Sequence, residues 1–150
     1  MFRGVTNLNL DAKGRVAIPA RYRERLLESC GGRLVVTIDR DGCLLVYPLT
    51  EWERIEAALM SRPNMDPQVR SLQRLLLGYA SDVEMDAQSR ILVAPTLREH
   101  AQLDKHVVLV GQGNKFELWN EATWTAQREQ WLKSDEFAEG LSEALASLSL

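Results

Sequence analysis

The sequence predicts a β-rich α+β protein that contains two copies of one strand-rich unit. DAKGRVAIPARYRE at residues 11–24 matches DAQSRILVAPTLRE at residues 86–99, at a constant shift of 75 positions. Apolar runs bounded by turn residues follow each copy, as in β-hairpins, and segments with helical spacing come after both hairpins. A unit of about 45 residues is too short to bury its apolar face alone, so the copies, or several chains, should pack together.

The first unit begins with a strand, a turn, a second strand and a short helix. Residues 7–11 (NLNLD) alternate polar and apolar side chains, as a half-buried strand does. The turn DAKG has Asp at its first position and Gly at its fourth, and RVAI follows as the second strand. This pattern predicts a tight hairpin. Pro19 then opens a helix that Gly31 ends, with Tyr22 and Leu26 in its apolar register.

A second hairpin and two helices join the first unit to the next. Asp41-Gly42 separates two apolar runs and predicts a hairpin, and Gly113-Asn114 holds the same place in the second unit. Thr50 and Glu53 predict a capping box at the start of one helix, and Asp66-Pro67 predicts the start of another. The apolar stripes expected on these two helices are Trp52, Ile55 and Leu59, and Val69, Leu72 and Leu76.

Charge is distributed unevenly along the chain. The formal net charge is −3 and the pI is near 5.5, which alone argues against a partner made of phosphate. Residues 1–40 nevertheless hold eight basic side chains against four acidic ones, whereas residues 120–150 hold two against six. That acidic C-terminal segment carries Trp124 and Trp131 one heptad apart and is expected to be helical. Aromatic residues at this spacing are typical of a core, although a contact with a protein partner is the alternative.

The composition indicates an ordinary folded protein. The chain has 150 residues, of which 45% are hydrophobic and 26% charged, enough for one domain or two small ones. No apolar segment approaches the length of a membrane span, so we expect a cytoplasmic protein with no membrane partner. Cys30 and Cys43 form no C-x-x-C pair, and the two histidines lack metal-ligand spacing. We therefore expect free thiols, no metal and no cofactor.

The residues give little support to an enzyme. The arrangement of one aspartate in each of two pseudo-symmetric units is similar to that of an aspartic-protease active site. Asp11 and Asp86 are followed by Ala and then Lys or Gln, however, and not by the small residues that such a site needs. No catalytic motif surrounds His100 or His106. Gly111-Gln112-Gly113 lacks the third glycine of a nucleotide-binding loop. We expect a binding protein with no catalytic residue and no small-molecule substrate.

Six motifs stand in a fixed order: MFRG at 1–4, LDAKGR at 10–15, IPARYRE at 18–24, LLLG at 75–78, Asp86 with Arg90, and NKFELW at 114–119. With these motifs the chain resembles the MraZ family of bacterial transcription regulators along nearly its whole length. The resemblance implies two tandem AbrB-like swapped-hairpin modules that form one barrel-like body with peripheral helices. The implied boundaries are 5–51 and 80–123 for the SpoVT/AbrB-like domains, 52–79 for connecting helices and 124–150 for a C-terminal helical tail.

The resemblance also implies a function and a set of site residues. It implies a nucleoid-associated repressor that assembles as a ring-like homo-oligomer on repeated promoter boxes in double-stranded DNA, at the division and cell-wall gene cluster. In that family the D-x-x-x-R loops are thought to face DNA. The resemblance therefore implies that Lys13, Arg15 and Arg90 contact DNA. Arginine can donate two hydrogen bonds to a guanine, while lysine offers a charge to phosphate. Gln88 and Ser89 replace the lysine and the glycine in the second loop, so Gln88 stays a candidate contact but an equal share for this loop is in doubt.

Several side chains near the loops have alternative roles. We expect the two loop aspartates to cap their turns through backbone hydrogen bonds, since a carboxylate would repel phosphate. Arg3, Arg21 and Arg23 are candidate contacts to the DNA backbone, but solvated positions or pairing with Glu24 and Glu28 are as well supported. The alternative function is an AbrB-like oligomeric scaffold whose main partner is a protein.

Overall fold

The computed structural model describes residues 1–134 together with residues 145, 147 and 148. The chain divides into two compact units, Met1–Asn120 and Glu121–Leu150. The first unit is an α+β structure whose elements, in chain order, are β1 (Phe2–Asn9), β2 (Arg15–Ala17), α1 (Ala20–Cys30), β3 (Arg33–Ile38), β4 (Leu44–Pro48), α2 (Leu49–Met60), α3 (Pro67–Leu76), β5 (Ser81–Glu84), β6 (Arg90–Leu92), α4 (Pro95–His100), β7 (His106–Gly113) and β8 (Phe116–Asn120). The second unit contains α5 (Glu121–Lys133).

The two repeats exchange strands. Six strands form an antiparallel sheet in the order β1-β7-β8-β4-β3-β5, and β2 pairs with β6 in a separate two-stranded ribbon. Each repeat thus places its first strand, β1 or β5, beside the hairpin of the other repeat, which confirms that the copies pack together. The strands that flank each D-x-x-x-R loop lie in different sheets, so the tight hairpin predicted there is wrong. Within the described residues β1 and β5 remain edge strands, and the sheet does not close into a barrel.

The main core lies on one face of the six-stranded sheet, under α1, α4 and the ribbon. Phe2, Tyr22 and Phe116 meet there with ring centroids 4.4 to 5.8 Å apart. Val16 from β2 and Ile91 from β6 are also buried in this core. A fully buried aliphatic or aromatic side chain contributes about 1.5–3 kcal/mol, so these inward side chains hold the ribbon against the sheet.

A smaller core lies on the other face of the sheet, under α2 and α3. It contains Val35, Tyr47 and Trp52, with Leu76 packed against them. The predicted stripe of α2 is confirmed, because Trp52 and Leu59 are buried and Ile55 is half-buried. The stripe of α3 is less covered than its spacing suggests: none of its residues is buried.

Local signals at most element ends are confirmed. Asp66 accepts a hydrogen bond from the Gln68 backbone N–H at 2.9 Å and caps α3, with Pro67 in its first turn. Gly31 ends α1 in the left-handed conformation, and both hairpin turns form where predicted. The capping box at Thr50 is wrong. The N-cap residue of α2 is Pro48, which cannot cap with a side-chain hydrogen bond, and the helix begins at Leu49. Thr50 therefore lies inside the first turn.

The second unit is described mainly by α5. The rings of Trp124 and Trp131 lie 5.9 Å apart in an edge-on arrangement; Trp124 is half-buried and Trp131 exposed. The prediction of a helical acidic tail beyond Ser134 falls largely outside the described residues. No helix in the described part of the chain has the length and apolar character needed to cross a bilayer.

Candidate nucleic-acid interface

The first D-x-x-x-R loop is a four-residue turn held by the Asp11 carboxylate. The Gly14 backbone N–H donates to the Asp11 carbonyl at 3.0 Å, which closes the turn. Asp11 Oδ1 accepts hydrogen bonds from the backbone N–H groups of Lys13 and Arg15 at 2.9 and 2.8 Å, and Oδ2 accepts from Arg15 Nε at 2.8 Å. The prediction that this aspartate caps the turn is therefore confirmed.

The hydrogen bonds keep the Asp11 carboxylate charged. The pKa of Asp11 is lowered from 3.8 to about 2, mainly by the hydrogen bond from the Arg15 backbone N–H. The Arg15 side chain and the Lys13 backbone N–H lower it further. At neutral pH the loop therefore contains a fixed anion, which orients Nε of Arg15. The two terminal nitrogens of Arg15 make no hydrogen bond within the described residues.

The second loop repeats this frame around Asp86. Ser89 N–H donates to the Asp86 carbonyl at 2.9 Å, and Asp86 Oδ1 accepts from the backbone N–H groups of Gln88 and Arg90, both at 2.9 Å. Arg90 Nε donates to Asp86 Oδ2 at 2.9 Å. The Arg90 backbone N–H is the main group that lowers the pKa of Asp86 below its usual range. This aspartate also caps its turn as predicted.

The two loops differ at the positions that the sequence singles out. Ser89 has a φ of 58° and occupies the left-handed region that Gly14 occupies at 86°, so the backbone conformation persists without glycine. Gln88 Oε1 accepts a hydrogen bond from Arg90 Nη2 at 3.1 Å. Arg90 is thus held at both Nε and one terminal nitrogen, while Lys13 remains exposed in the first loop.

The ribbon places Arg15 and Arg90 on one face. Arg15 pairs with Leu92 and Ala17 pairs with Arg90 in the antiparallel register. Because strand side chains alternate, these four point to the same side, opposite the buried side chains at the ribbon centre. The side chains of Arg15 and Arg90 are 29% and 31% exposed. The chain therefore presents an outward ribbon face with an arginine on each strand and a capped loop at each end.

The other predicted cations are dispersed. Arg3 lies on the exposed face of β1, and Arg3 and Asn9 at the two ends of this strand lie roughly 20 Å apart. Arg21 donates to Thr6 Oγ1, and its guanidinium lies 4.7 Å from the centre of the Tyr22 ring. Arg3 and Arg21 therefore lie at β1 and the start of α1, and not in the D-x-x-x-R loops. Within the described residues, Arg3, Arg21 and Arg23 form no ion pair with Glu24 or Glu28.

Arg98 is a residue near the loops that the sequence did not single out. Its Nε donates to the Val93 carbonyl at 3.0 Å, and the Val93 N–H donates to the Gly14 carbonyl at 2.8 Å. Arg23, which was singled out, donates from Nε to the Ile18 carbonyl at 2.7 Å, and Ile18 N–H donates to the Ser89 carbonyl at 2.8 Å. The repeated R-E pair in the two motifs was the available signal, because it places these arginines at equivalent positions.

A cluster of titratable groups lies elsewhere, at the β3–β4 hairpin. Potential ligand atoms of Asp39, Cys43 and Glu117 all lie within 4.8 Å of one another. Burial, chiefly, raises the pKa of the Cys43 thiol well above its ordinary value and also raises the pKa of Glu117. Cys43 Sγ contacts Asp39 Oδ2 at 3.7 Å, and Glu117 accepts from Trp119 Nε1. The thiol is therefore protonated at neutral pH. Both cysteines are free, as predicted, and both are buried.

Comparison with known proteins agrees with the duplicated architecture. A family model described as MraZ protein, antitoxin-like, matches residues 1–75 and again residues 76–147. The chain belongs to the MraZ family. The two matches start 75 positions apart, which equals the shift between the two motifs and confirms the internal repeat.

Relatives match over the full length. A protein of Thioalkalivibrio sulfidiphilus is 67% identical over 150 residues and covers all of both chains. A protein of Hydrogenovibrio crunogenus is 56% identical, covering 99% of this chain and 98% of its own. One from Escherichia coli is 55% identical over 152 residues, with complete coverage of both. Each is named Transcriptional regulator MraZ.

Proposed function

We propose that this MraZ-family chain is a transcriptional regulator that binds double-stranded DNA through the outward ribbon face and its two loops. The observation that carries the proposal is that Arg15 and Arg90 share this face. A two-stranded ribbon fits the major groove of B-form DNA, where base edges differ in their hydrogen-bonding pattern. The regulator names of the relatives support the same function.

The chemistry divides between base and backbone contacts. Arg15 keeps both terminal nitrogens for a guanine, whose O6 and N7 accept two parallel hydrogen bonds. Lys13, at the exposed turn, supplies a charge for phosphate. Gln88 holds Arg90 and contacts DNA more weakly, and Arg3, Arg21 and Arg23 add sequence-independent contacts on a longer surface.

The body of the protein would consist of tandem AbrB-like swapped-hairpin modules. The exchange of β1 and β5 between repeats and the β2–β6 ribbon support this arrangement. Its domains would be residues 5–51 and 80–123, with connecting helices at 52–79 and a C-terminal helical tail from 124 to 150.

Assembly would supply affinity that one chain lacks. The net charge of −3 and two short loops give a single chain modest attraction to DNA. A ring-like homo-oligomer on repeated promoter boxes makes later contacts intramolecular, which raises affinity by roughly 10²–10⁴. We place such a repressor in the cytoplasm, at the nucleoid, on boxes upstream of the division and cell-wall gene cluster.

A salt series and a box-number series test this function. The logarithm of the binding constant should fall by about 0.9 per neutralised phosphate for each unit of log salt concentration, and affinity should rise steeply from one box to three. Equal affinity for one, two and three boxes would contradict the ring. Absence of DNA retention even at low salt would favour the alternative, an oligomeric scaffold whose main partner is a protein.

A further inference from the structure

Arg98 of the second repeat packs directly on the first loop. A Cβ atom added at Gly14 would lie 2.7 Å from Arg98 Cζ, 2.8 Å from Nε and 3.1 Å from Nη1. Real Cβ atoms do not come within 3.0 Å of other atoms, so any side chain at position 14 would displace the Arg98 guanidinium from where it lies. Gly14 thus leaves room for this guanidinium, and its φ of 86° lies in the region that favours glycine.

Two hydrogen bonds fix this contact. Arg98 lies on α4, half-buried, and its Nε donates to the Val93 carbonyl at 3.0 Å. The Val93 N–H in turn donates to the Gly14 carbonyl at 2.8 Å. The loop of the first repeat and the helix start of the second are thus joined through one residue. The terminal nitrogens of Arg98 form no hydrogen bond or ion pair within the described residues.

We infer that Arg98 is a DNA-backbone contact of the first loop, where Lys13, Arg15 and Arg98 form one three-cation surface. The inference rests on the proposed function. A guanidinium whose Nε is already held loses little conformational freedom when its remaining donors bind a phosphate oxygen. The binding surface of the first loop is then composite: one repeat supplies the turn and the other supplies the third cation.

A salt series on point variants tests the charge. Arg98→Gln should weaken binding to cognate and random DNA alike and reduce the salt slope by about 0.9, the value for one phosphate. Arg98→Lys should retain most of the slope. Arg70→Gln is the matched control, because Arg70 is an exposed arginine on α3, which covers the opposite face of the sheet. A slope for Arg98→Gln equal to that of Arg70→Gln would overturn the inference.

A double-mutant cycle tests the contact itself. Gly14→Ala should lower the melting temperature and weaken DNA binding, although it removes no charge. In an Arg98→Ala background, Gly14→Ala should lower the melting temperature by less, because the contact with the Arg98 side chain is absent. The strain at positive φ is the same in both backgrounds and therefore cancels in the cycle. Additive shifts in melting temperature would overturn the packing on which the inference depends.

The two failures are distinguishable. If the wild type retains no DNA at low salt, the proposed function fails and the inference fails with it. If the wild type binds DNA and Arg98→Gln matches its control, the proposed function stands and only the role of Arg98 is lost.

Discussion

The two D-x-x-x-R loops have one backbone frame and different side chains. Asp11 and Asp86 each accept the same three hydrogen bonds, with lengths of 2.8 to 2.9 Å in both loops. Yet the first loop has an exposed lysine and an arginine whose two terminal nitrogens make no hydrogen bond to any residue that the structure describes, whereas in the second Gln88 accepts a hydrogen bond from Arg90 Nη2. The aspartate builds the turn, and the neighbouring residues decide how much donor capacity remains for a ligand.

This comparison implies an unequal division of work between the repeats. In the proposed function, the first loop supplies more of the cationic donors that contact DNA. The second keeps the same shape, and so preserves the ribbon register that aligns both arginines on one face. Substitutions at matched positions should therefore have different effects. Three such tests and one pH titration follow, in order of decreasing size.

Removing the arginine of each loop should have the largest effect. Arg15→Ala should cost about 1–3 kcal/mol of binding free energy on a cognate box and little on random DNA, because a bidentate base contact is lost. Arg90→Ala should cost less, since one of its donors is already used within the protein. Titration of both variants against cognate and random duplexes measures this. Equal losses from the two variants would contradict the division of work.

Exchanging the charge between the loops should have the next largest effect. Lys13→Gln should reduce the salt slope of binding by about 0.9, and Gln88→Lys should raise it by a similar amount and also release Arg90 Nη2. Binding constants at several salt concentrations, on random DNA, give both slopes. The double exchange should return close to the wild-type slope; a slope that Gln88→Lys leaves unchanged would show that the second loop does not meet DNA.

The third test concerns backbone strain in the second loop. Ser89 has a φ of 58°, a conformation that costs a non-glycine residue roughly 1–2 kcal/mol, while glycine adds an entropic cost of about 0.5–1 kcal/mol. Ser89→Gly should therefore raise the free energy of unfolding by about 0.5–1 kcal/mol. Gly14→Ser should lower it, because the new side chain would meet Arg98. Urea denaturation of both variants measures the free energy of unfolding. A lower value for Ser89→Gly than for the wild type would refute the strain argument.

The smallest effect concerns pH. Since the folded loops lower the pKa of both carboxyls, each aspartate contributes stability that is present above the ordinary pKa of 3.8 and is lost as pH falls, towards about 2 for Asp11. NMR titration of the side-chain carboxyl carbons should give a midpoint near 2 for Asp11 and one below 3.8 for Asp86. A midpoint at or above 3.8 for either residue would mean that its cap is not formed in solution.

Local features were predictable from the sequence because their partners are close along the chain. The aspartate caps join residues at most four positions apart, and Gly42 and Gly113 mark hairpin turns by their own φ preference. Gly31 ends a helix for the same reason. The predicted capping box at Thr50 is wrong because Pro48, two residues earlier, already sets the helix start.

Long-range features were not predictable in this way. The repeat predicted that two copies pack together, but nothing in the local pattern shows that β1 pairs with β7 or β2 with β6. The contact between Gly14 and Arg98 depends on that exchange, since it joins residues of different repeats. The left-handed Ser89 was also missed, because three hydrogen bonds to the carboxylate of Asp86 hold the turn without glycine.

The most direct test of the account is footprinting on the DNA upstream of the chain's own gene. The wild type should protect several regularly spaced boxes, and the Lys13→Ala/Arg15→Ala double variant should protect none at the same concentration. The double variant Arg62→Ala/Arg70→Ala removes the same charge from exposed positions near α2 and α3 and should protect the boxes as the wild type does. Protection that survives loss of Lys13 and Arg15 would contradict the claim that the first loop and the ribbon face bind DNA.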